Sequence, residues 1–199
     1  MTTSSRKVHY QGHGFGRRLW SLAIAGAVTA VMVLIAAANR PTVALASADA
    51  VGIVPGVLIT PAPGWTVTNR GPNWVALSNA NFSAQMRVAV KPANGTDLVA
   101  ILQADIDQLS GSPSAALINM KDLTAPTTKP VQGNNFQQEA FINYTATVSA
   151  PQGPVPVIGA FSELLNTSTR QTAFIDFRED GGATTQAANA GGSMVNSML

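Results

Sequence analysis

From Leu19 to Ala38 the chain runs through twenty residues, LWSLAIAGAVTAVMVLIAAA, without a charge and with polar side chains only at Ser21 and Thr29. As an α-helix rising about 1.5 Å per residue, this run is about 30 Å long, the thickness of a bilayer's hydrocarbon core. Arg6, Lys7, Arg17 and Arg18 precede it with no acid among them, and Arg40 alone lies just after it. Positive charge stays on the cytoplasmic side, so residues 1–18 are expected inside, residues 19–38 as a single span, and the remainder outside the cytoplasmic membrane.

A cleaved signal peptide is the rival reading. Ala44-Leu45-Ala46 and Ala46-Ser47-Ala48 both fit an A-x-A cleavage pattern, so a secreted form cut after Ala46 or Ala48 is the alternative. The apolar run is longer than the usual 7–15 residues of a signal peptide and ends well before those sites, which favours a retained anchor. Arg17-Arg18 is similar to a twin-arginine signal, but Ser21 stands where that pattern wants an apolar residue. Gly12-His13-Gly14-Phe15-Gly16 superficially matches a nucleotide-binding loop, yet no strand precedes it and a membrane segment follows. His9 and His13 would pair on a metal only if this Gly-containing tail were helical, so no metal is assigned to them.

The sequence pI of about 9.3 suggests a nucleic-acid partner until the charges are divided. Residues 1–40 hold five Lys and Arg and no acid, whereas residues 41–199 hold seven against all ten Asp and Glu, a balance of −3. A nucleic-acid binder needs a basic stripe on its folded part, so no nucleic-acid partner is expected. There is no cysteine, which removes disulfides, thiolate metal sites, cysteine nucleophiles and a lipidated cysteine anchor. Both histidines lie in the tail. Residues after the apolar run therefore lack the side chains most used for proton transfer near neutral pH, and no cofactor or catalytic residue is assigned.

Asn39-Arg40-Pro41 ends the apolar run, residues 39–52 read as a linker, and residues 53–199 form one extracytoplasmic domain. Short strands are expected from Val57 to Ile59, Trp65 to Val67 and Trp74 to Leu77, with Met86, Val88 and Val90 alternating on a half-buried strand. Asn94-Gly95 turns the chain. Thr96 or Asp97 can cap a helix in which Leu98, Leu102, Ile106 and Leu109 recur on one face. Asp105 and Asp107 are read as solvated surface charges. After a short stretch at Ile118 and a Pro- and Thr-rich connection, Gln138 to Val148 alternates, with Ala140, Ile142, Tyr144, Ala146 and Val148 on one face. Strands from Val155 to Leu164 and Thr172 to Phe177 follow, the first entered through a turn over Ser149 to Pro156. Thr185 to Leu199 reads as a terminal helix weakened by Gly191-Gly192. Consecutive hairpins imply an α+β fold, an antiparallel sheet flanked by helices.

The chemistry expected of this domain is sparse. Asp176, Glu179 and Asp180 form the tightest acidic group, but lack the alternate spacing of a calcium loop and read as an exposed strand end. No Gly-x-Ser-x-Gly or Ser-x-x-Lys motif occurs in the domain. Asn81, Asn94, Asn143 and Asn166 each begin an Asn-x-Ser/Thr triplet, expected by chance in a chain so rich in these residues. Trp65 and Trp74 are read as core anchors at strand starts, with ligand stacking the alternative. A cleft where two carboxylates converge, or a Ser–Lys contact, would favour a hydrolase or transferase over a binding module.

Pro63-Gly64-Trp65, the strand pair after it, the strand through Met86 to Val90 leading into a helix, the long strand from Gln138, and a last strand closed by a helix ending Ser193-Met194-Val195-Asn196-Ser197-Met198 together resemble the PsbP-like α/β-sandwich superfamily. Within it the likeness is to mycobacterial exported proteins of the LpqN type, over about residues 53–199. The resemblance implies a non-enzymatic accessory or binding protein of the cell envelope, with an envelope protein, a lipid or a glycan as partner. It supplies no catalytic residues. LpqN-type lipoproteins are tethered through a lipidated cysteine, absent here, so the apolar segment would take over the tethering.

Overall fold

The computed structural model describes residues 50–112, 117–122, 124–151 and 153–199. The span from Leu19 to Ala38, the cleavage sites, the arginine pair, the glycine-rich tail and both histidines lie outside them. Among the described residues no helix is long and apolar enough to cross a membrane.

The described residues form, in order, β1 (Val51–Val54), β2 (Val57–Ile59), β3 (Trp65–Arg70), β4 (Trp74–Asn79), β5 (Ala84–Pro92), α1 (Leu98–Ser110), β6 (Leu117–Asp122), β7 (Thr127–Pro130), β8 (Gln138–Ala150), β9 (Gly153–Asn166), β10 (Gln171–Asp180) and α2 (Thr185–Asn196). The main sheet has eight strands in the order β3-β4-β5-β10-β9-β8-β6, with β7 also pairing β8. Every pairing is antiparallel. The α+β class is as expected. Two meanders, β3-β4-β5 and β8-β9-β10, are joined where β5 meets β10 in a continuous register from Gln171↔Pro92 to Glu179↔Ala84.

Alternation along the strands builds two cores, one on each face of the sheet. Met86, Val88, Val90, Ala173, Ile175 and Phe177 bury one face together with Trp65, the β1–β2 hairpin and Met194 and Met198 at the C-terminal end. Ala140, Ile142, Tyr144, Ala146 and Phe161 bury the other face under Leu98, Leu102, Ile106 and Leu109 of α1. Asp97 caps α1, its carboxylate accepting from the backbone N–H of Val99 and Ala100. The two first-turn amides it satisfies would otherwise have no partner inside the helix.

Two glycines that weaken their elements locally are required by packing. A Cβ on Gly191 would lie 2.7 Å from the Phe177 ring, so α2 accepts a poor helix former to let that ring approach its backbone. A Cβ on Gly159 would meet the Tyr144 ring and come within 2.6 Å of the Phe177 carbonyl oxygen. The terminal residues are tied down as well: the Asn135 backbone N–H donates to the Leu199 carbonyl at 2.9 Å, and the Thr60 N–H donates to Ser197 Oγ at 2.8 Å.

Several expectations are corrected. Val51 already pairs Ile59, so strand structure begins inside the segment read as linker. The Pro- and Thr-rich connection contains β7, whose Thr127–Pro130 backbone pairs β8 although Lys129 and Pro130 are poor strand formers. The β8–β9 strands run on to Ala150↔Gly153, which confines the turn to fewer residues than Ser149 to Pro156. The terminal helix stops at Asn196, where Ser197 caps it.

Candidate functional site

The sheet face that carries α1 is also the polar one. Thr172, Phe174, Asp176 and Arg178 of β10 alternate with the apolar Ala173, Ile175 and Phe177 of the opposite face. Arg87, Ala89 and Lys91 do the same on β5. α1 lies over β8 and β9, which leaves a cavity of about 280 Å³ between its C-terminal half and the strands β4, β5 and β10. Trp74, Arg87, Lys91 and Phe174 rise from the sheet into it, and Asp105 and Gln108 face it from the helix.

Local backbone geometry sets the Trp74 wall. The Asn73 amide donates to the Val90 carbonyl at 3.1 Å and Val90 N–H donates to the Asn73 carbonyl at 2.8 Å, clamping the β3–β4 turn onto β5. Trp74 then pairs Ala89, which makes Arg87 its diagonal neighbour on the same face. The Arg87 guanidinium carbon sits 4.9 Å from the centroid of the Trp74 ring, within reach of the ring's negative face. Arg87 Nε is buried without a hydrogen-bond partner. Asp176 faces Arg87 across β5 and β10 but pairs instead with Arg178 Nη2, at 3.1 Å, and accepts the Tyr144 hydroxyl at 2.7 Å. Among the described residues no carboxylate forms an ion pair with Arg87.

Lys91 is differently placed. Its ammonium donates to Asp105 Oδ1, so that charge is met within the protein. Asp105 is therefore buried, not a solvated surface charge, because its helix position turns toward β5, where a cation waits. Asp107 is exposed as expected and accepts from Gln103 at 2.9 Å. Behind Asp105 lies Glu163 of β9, 0% exposed. Burial, then the neighbouring Asp105 carboxylate, raises the Glu163 pKa to about 9, which favours the protonated acid at pH 7. Asp105 Oδ2 and both Glu163 oxygens are buried, with the Thr172 hydroxyl beside Glu163. A proton on Glu163 reconciles them, since the acid O–H then donates to its neighbour Asp105. Tyr144, equally buried, is held well above the usual phenol value by desolvation and by Asp176.

The acidic group at the end of β10 is not the exposed turn expected. Asp176 is 1% exposed, and Glu179 is pushed up to about 7 by burial; only Asp180 serves the turn, accepting from Gly182 N–H at 2.7 Å. Trp65 is a core residue, 7% exposed, with its ring 6.2 Å from that of Phe177. Trp74 is half-buried and lines the cavity, so the two tryptophans part company. Asn143 is 1% exposed, which closes its Asn-x-Thr triplet to modification in the folded protein. Among the described residues no group of three His, Cys, Asp or Glu is placed to hold a metal. Sequence reasoning passed over Arg87; the available signal was the basic pair Arg87 and Lys91 alternating with Met86, Val88 and Val90, which gives β5 a second face of its own.

No protein-family model and no curated protein matches this chain. Among solved structures, the Saccharomyces cerevisiae Ran-binding protein Mog1p is similar at 11% identity and a TM-score of 0.47, over 72% of this chain and 87% of that one. A Mog1 point mutant aligns at 12% identity and a TM-score of 0.48, over 75% and 91%. A Bacteroides thetaiotaomicron protein aligns at 11% and 0.34, over 73% and 46%. Likenesses this distant carry no functional argument.

Proposed function

We propose that this chain is a membrane-tethered binding or accessory module of the cell envelope. A basic tail lies in the cytoplasm, the run from Leu19 to Ala38 spans the membrane, and the α+β domain stands outside. The finer fold assignment, a PsbP-like α/β sandwich of the LpqN type, belongs to the same reading. The observation that carries a binding role is the Arg87–Trp74 pair on an open cavity: a cation laid on an aromatic ring with no counter-ion of its own. Such a pair holds a ligand without needing to react with it. The tether is tested by fractionation. The full chain is expected to stay in the membrane pellet through alkaline carbonate washing and to be released when residues 19–38 are deleted; release of the intact chain would contradict it.

A hydrolase or transferase is the second reading, and the adjacent Asp105 and Glu163 carboxylates are the observation in its favour. Glu163 is fully buried and does not line the cavity, so no substrate reaches it in this conformation. Turnover of an ester or glycoside that Asp105→Asn abolishes would establish that reading.

A further inference from the structure

We propose that the cavity between α1 and the strands β4, β5 and β10 binds a small organic carboxylate with a flat apolar body, the carboxylate on Arg87 and the flat body along Trp74 and Phe174. This rests on the binding-module reading and names its ligand class.

The charge comes first. Besides Arg87 this face carries two ion pairs near the cavity, Lys91 with Asp105 and Arg178 with Asp176, and Glu163, whose raised pKa favours its neutral form. Arg87 is left over, and it is no freely hydrated surface arginine: its guanidinium rests on Trp74 and its Nε is buried without a partner. A guanidinium offers a planar fork that matches a carboxylate with two parallel hydrogen bonds. An incoming carboxylate supplies the missing negative charge where Arg87 borders the cavity.

The walls decide what the carboxylate is attached to. Phe174 stands on β10 directly opposite Ala89, and its ring stacks on Phe161 at 5.7 Å, so it cannot collapse into the cavity. Ala89, between Phe174 and Trp74 along the strand pairings, is small and leaves the floor open. The Asn73–Val90 clamp fixes the backbone beside Trp74. Two aromatic side chains flanking a small residue on a rigid sheet form a slot for a flat group. The cavity of about 280 Å³ is at the lower edge of the range for drug-sized ligands, which selects a small molecule over a long acyl chain or a peptide.

Benzoate is the probe, measured by equilibrium dialysis on the full-length protein in dilute non-ionic detergent. Saturable binding in the millimolar range or tighter is expected for so small a ligand. Arg87→Gln should weaken it by about tenfold or more, the worth of one charge-assisted hydrogen bond. Trp74→Leu should weaken benzoate more than acetate, and benzyl alcohol should bind wild type no better than benzoate binds Arg87→Gln. Melting curves of the variants separate lost binding from lost folding, and the comparison of benzoate, acetate and benzyl alcohol on wild type stands even if a variant fails to fold. No saturable benzoate binding, equal binding to Arg87→Gln, or equal binding of benzyl alcohol would each overturn the proposal. A negative result here with a carbonate-resistant membrane protein removes the ligand and leaves the tethered module; a soluble protein that binds benzoate does the reverse.

Discussion

Replacing Trp65 by Ala should bring the domain close to its stability limit. Trp65 is 7% exposed, opens β3, and sits in the core beside Phe177 under α2 and the β1–β2 hairpin. An aromatic side chain of this kind buries about 150–250 Å², worth about 4–6 kcal/mol at about 25 cal/mol per Å². The unfolded chain already buries part of that area, which lowers the figure to about 3–5 kcal/mol, the range measured for such truncations. Against a total of about 5–15 kcal/mol this is a large share. For a domain of this size it corresponds to a fall in Tm of roughly 6–20 °C. Thermal unfolding followed by circular dichroism reads it directly, with Trp65→Phe expected to lose much less. A Trp65→Ala protein melting within a degree or two of the parent would refute the core assignment and place Trp65 on a surface.

Two further outcomes follow from the packing. Gly159→Ala forces a methyl group against the Tyr144 ring and the Phe177 carbonyl, and should cost about 1–3 kcal/mol in denaturant titration; an unchanged midpoint would mean that strand β9 yields at this point. Glu163 has a folded pKa above its unfolded value of 4.5, so the native state binds the extra proton and stability falls as pH rises through the window from that value toward the folded one. Glu163→Gln cannot ionise and should flatten the decline in Tm over that window; a variant with the parent's pH profile would show that Glu163 titrates normally.

Much of this fold was legible because alternation and helical spacing report burial on one side of an element. Met86, Val88 and Val90 marked β5, Leu98, Leu102, Ile106 and Leu109 marked α1, and Ala140 through Ala146 marked β8, each where a single apolar face meets a core. The short pieces escaped for the converse reason. β1 is only four residues long with one fully buried position, and β7 has a single half-buried one, too few to set a period, and Thr127–Pro130 owes its strand to the partner β8. The joining of β5 to β10 spans most of the domain and has no local signature. The candidate site was almost wholly hidden. Asp105 and Arg87 carry charges that local sequence reads as solvated; Asp105 is buried because α1 brings it to Lys91 on a strand that precedes the helix, and Arg87 is half-buried against Trp74 of the neighbouring strand. Trp74 and Trp65 look alike in sequence, each opening a strand after a Gly- or Asn-containing turn, and only the sheet face each occupies tells them apart.

The central claim, a tethered domain standing outside the membrane, is tested most directly by labelling in living cells. The chain contains no cysteine, so a single one reports its own location. Asn94→Cys, in the exposed turn before α1, and Thr3→Cys, in the basic tail, are expressed separately in the full-length protein and treated with a membrane-impermeant maleimide before and after lysis. The account predicts that the cysteine at position 94 is labelled on intact cells, and the one at position 3 only after lysis. Labelling of position 94 only after lysis would contradict it.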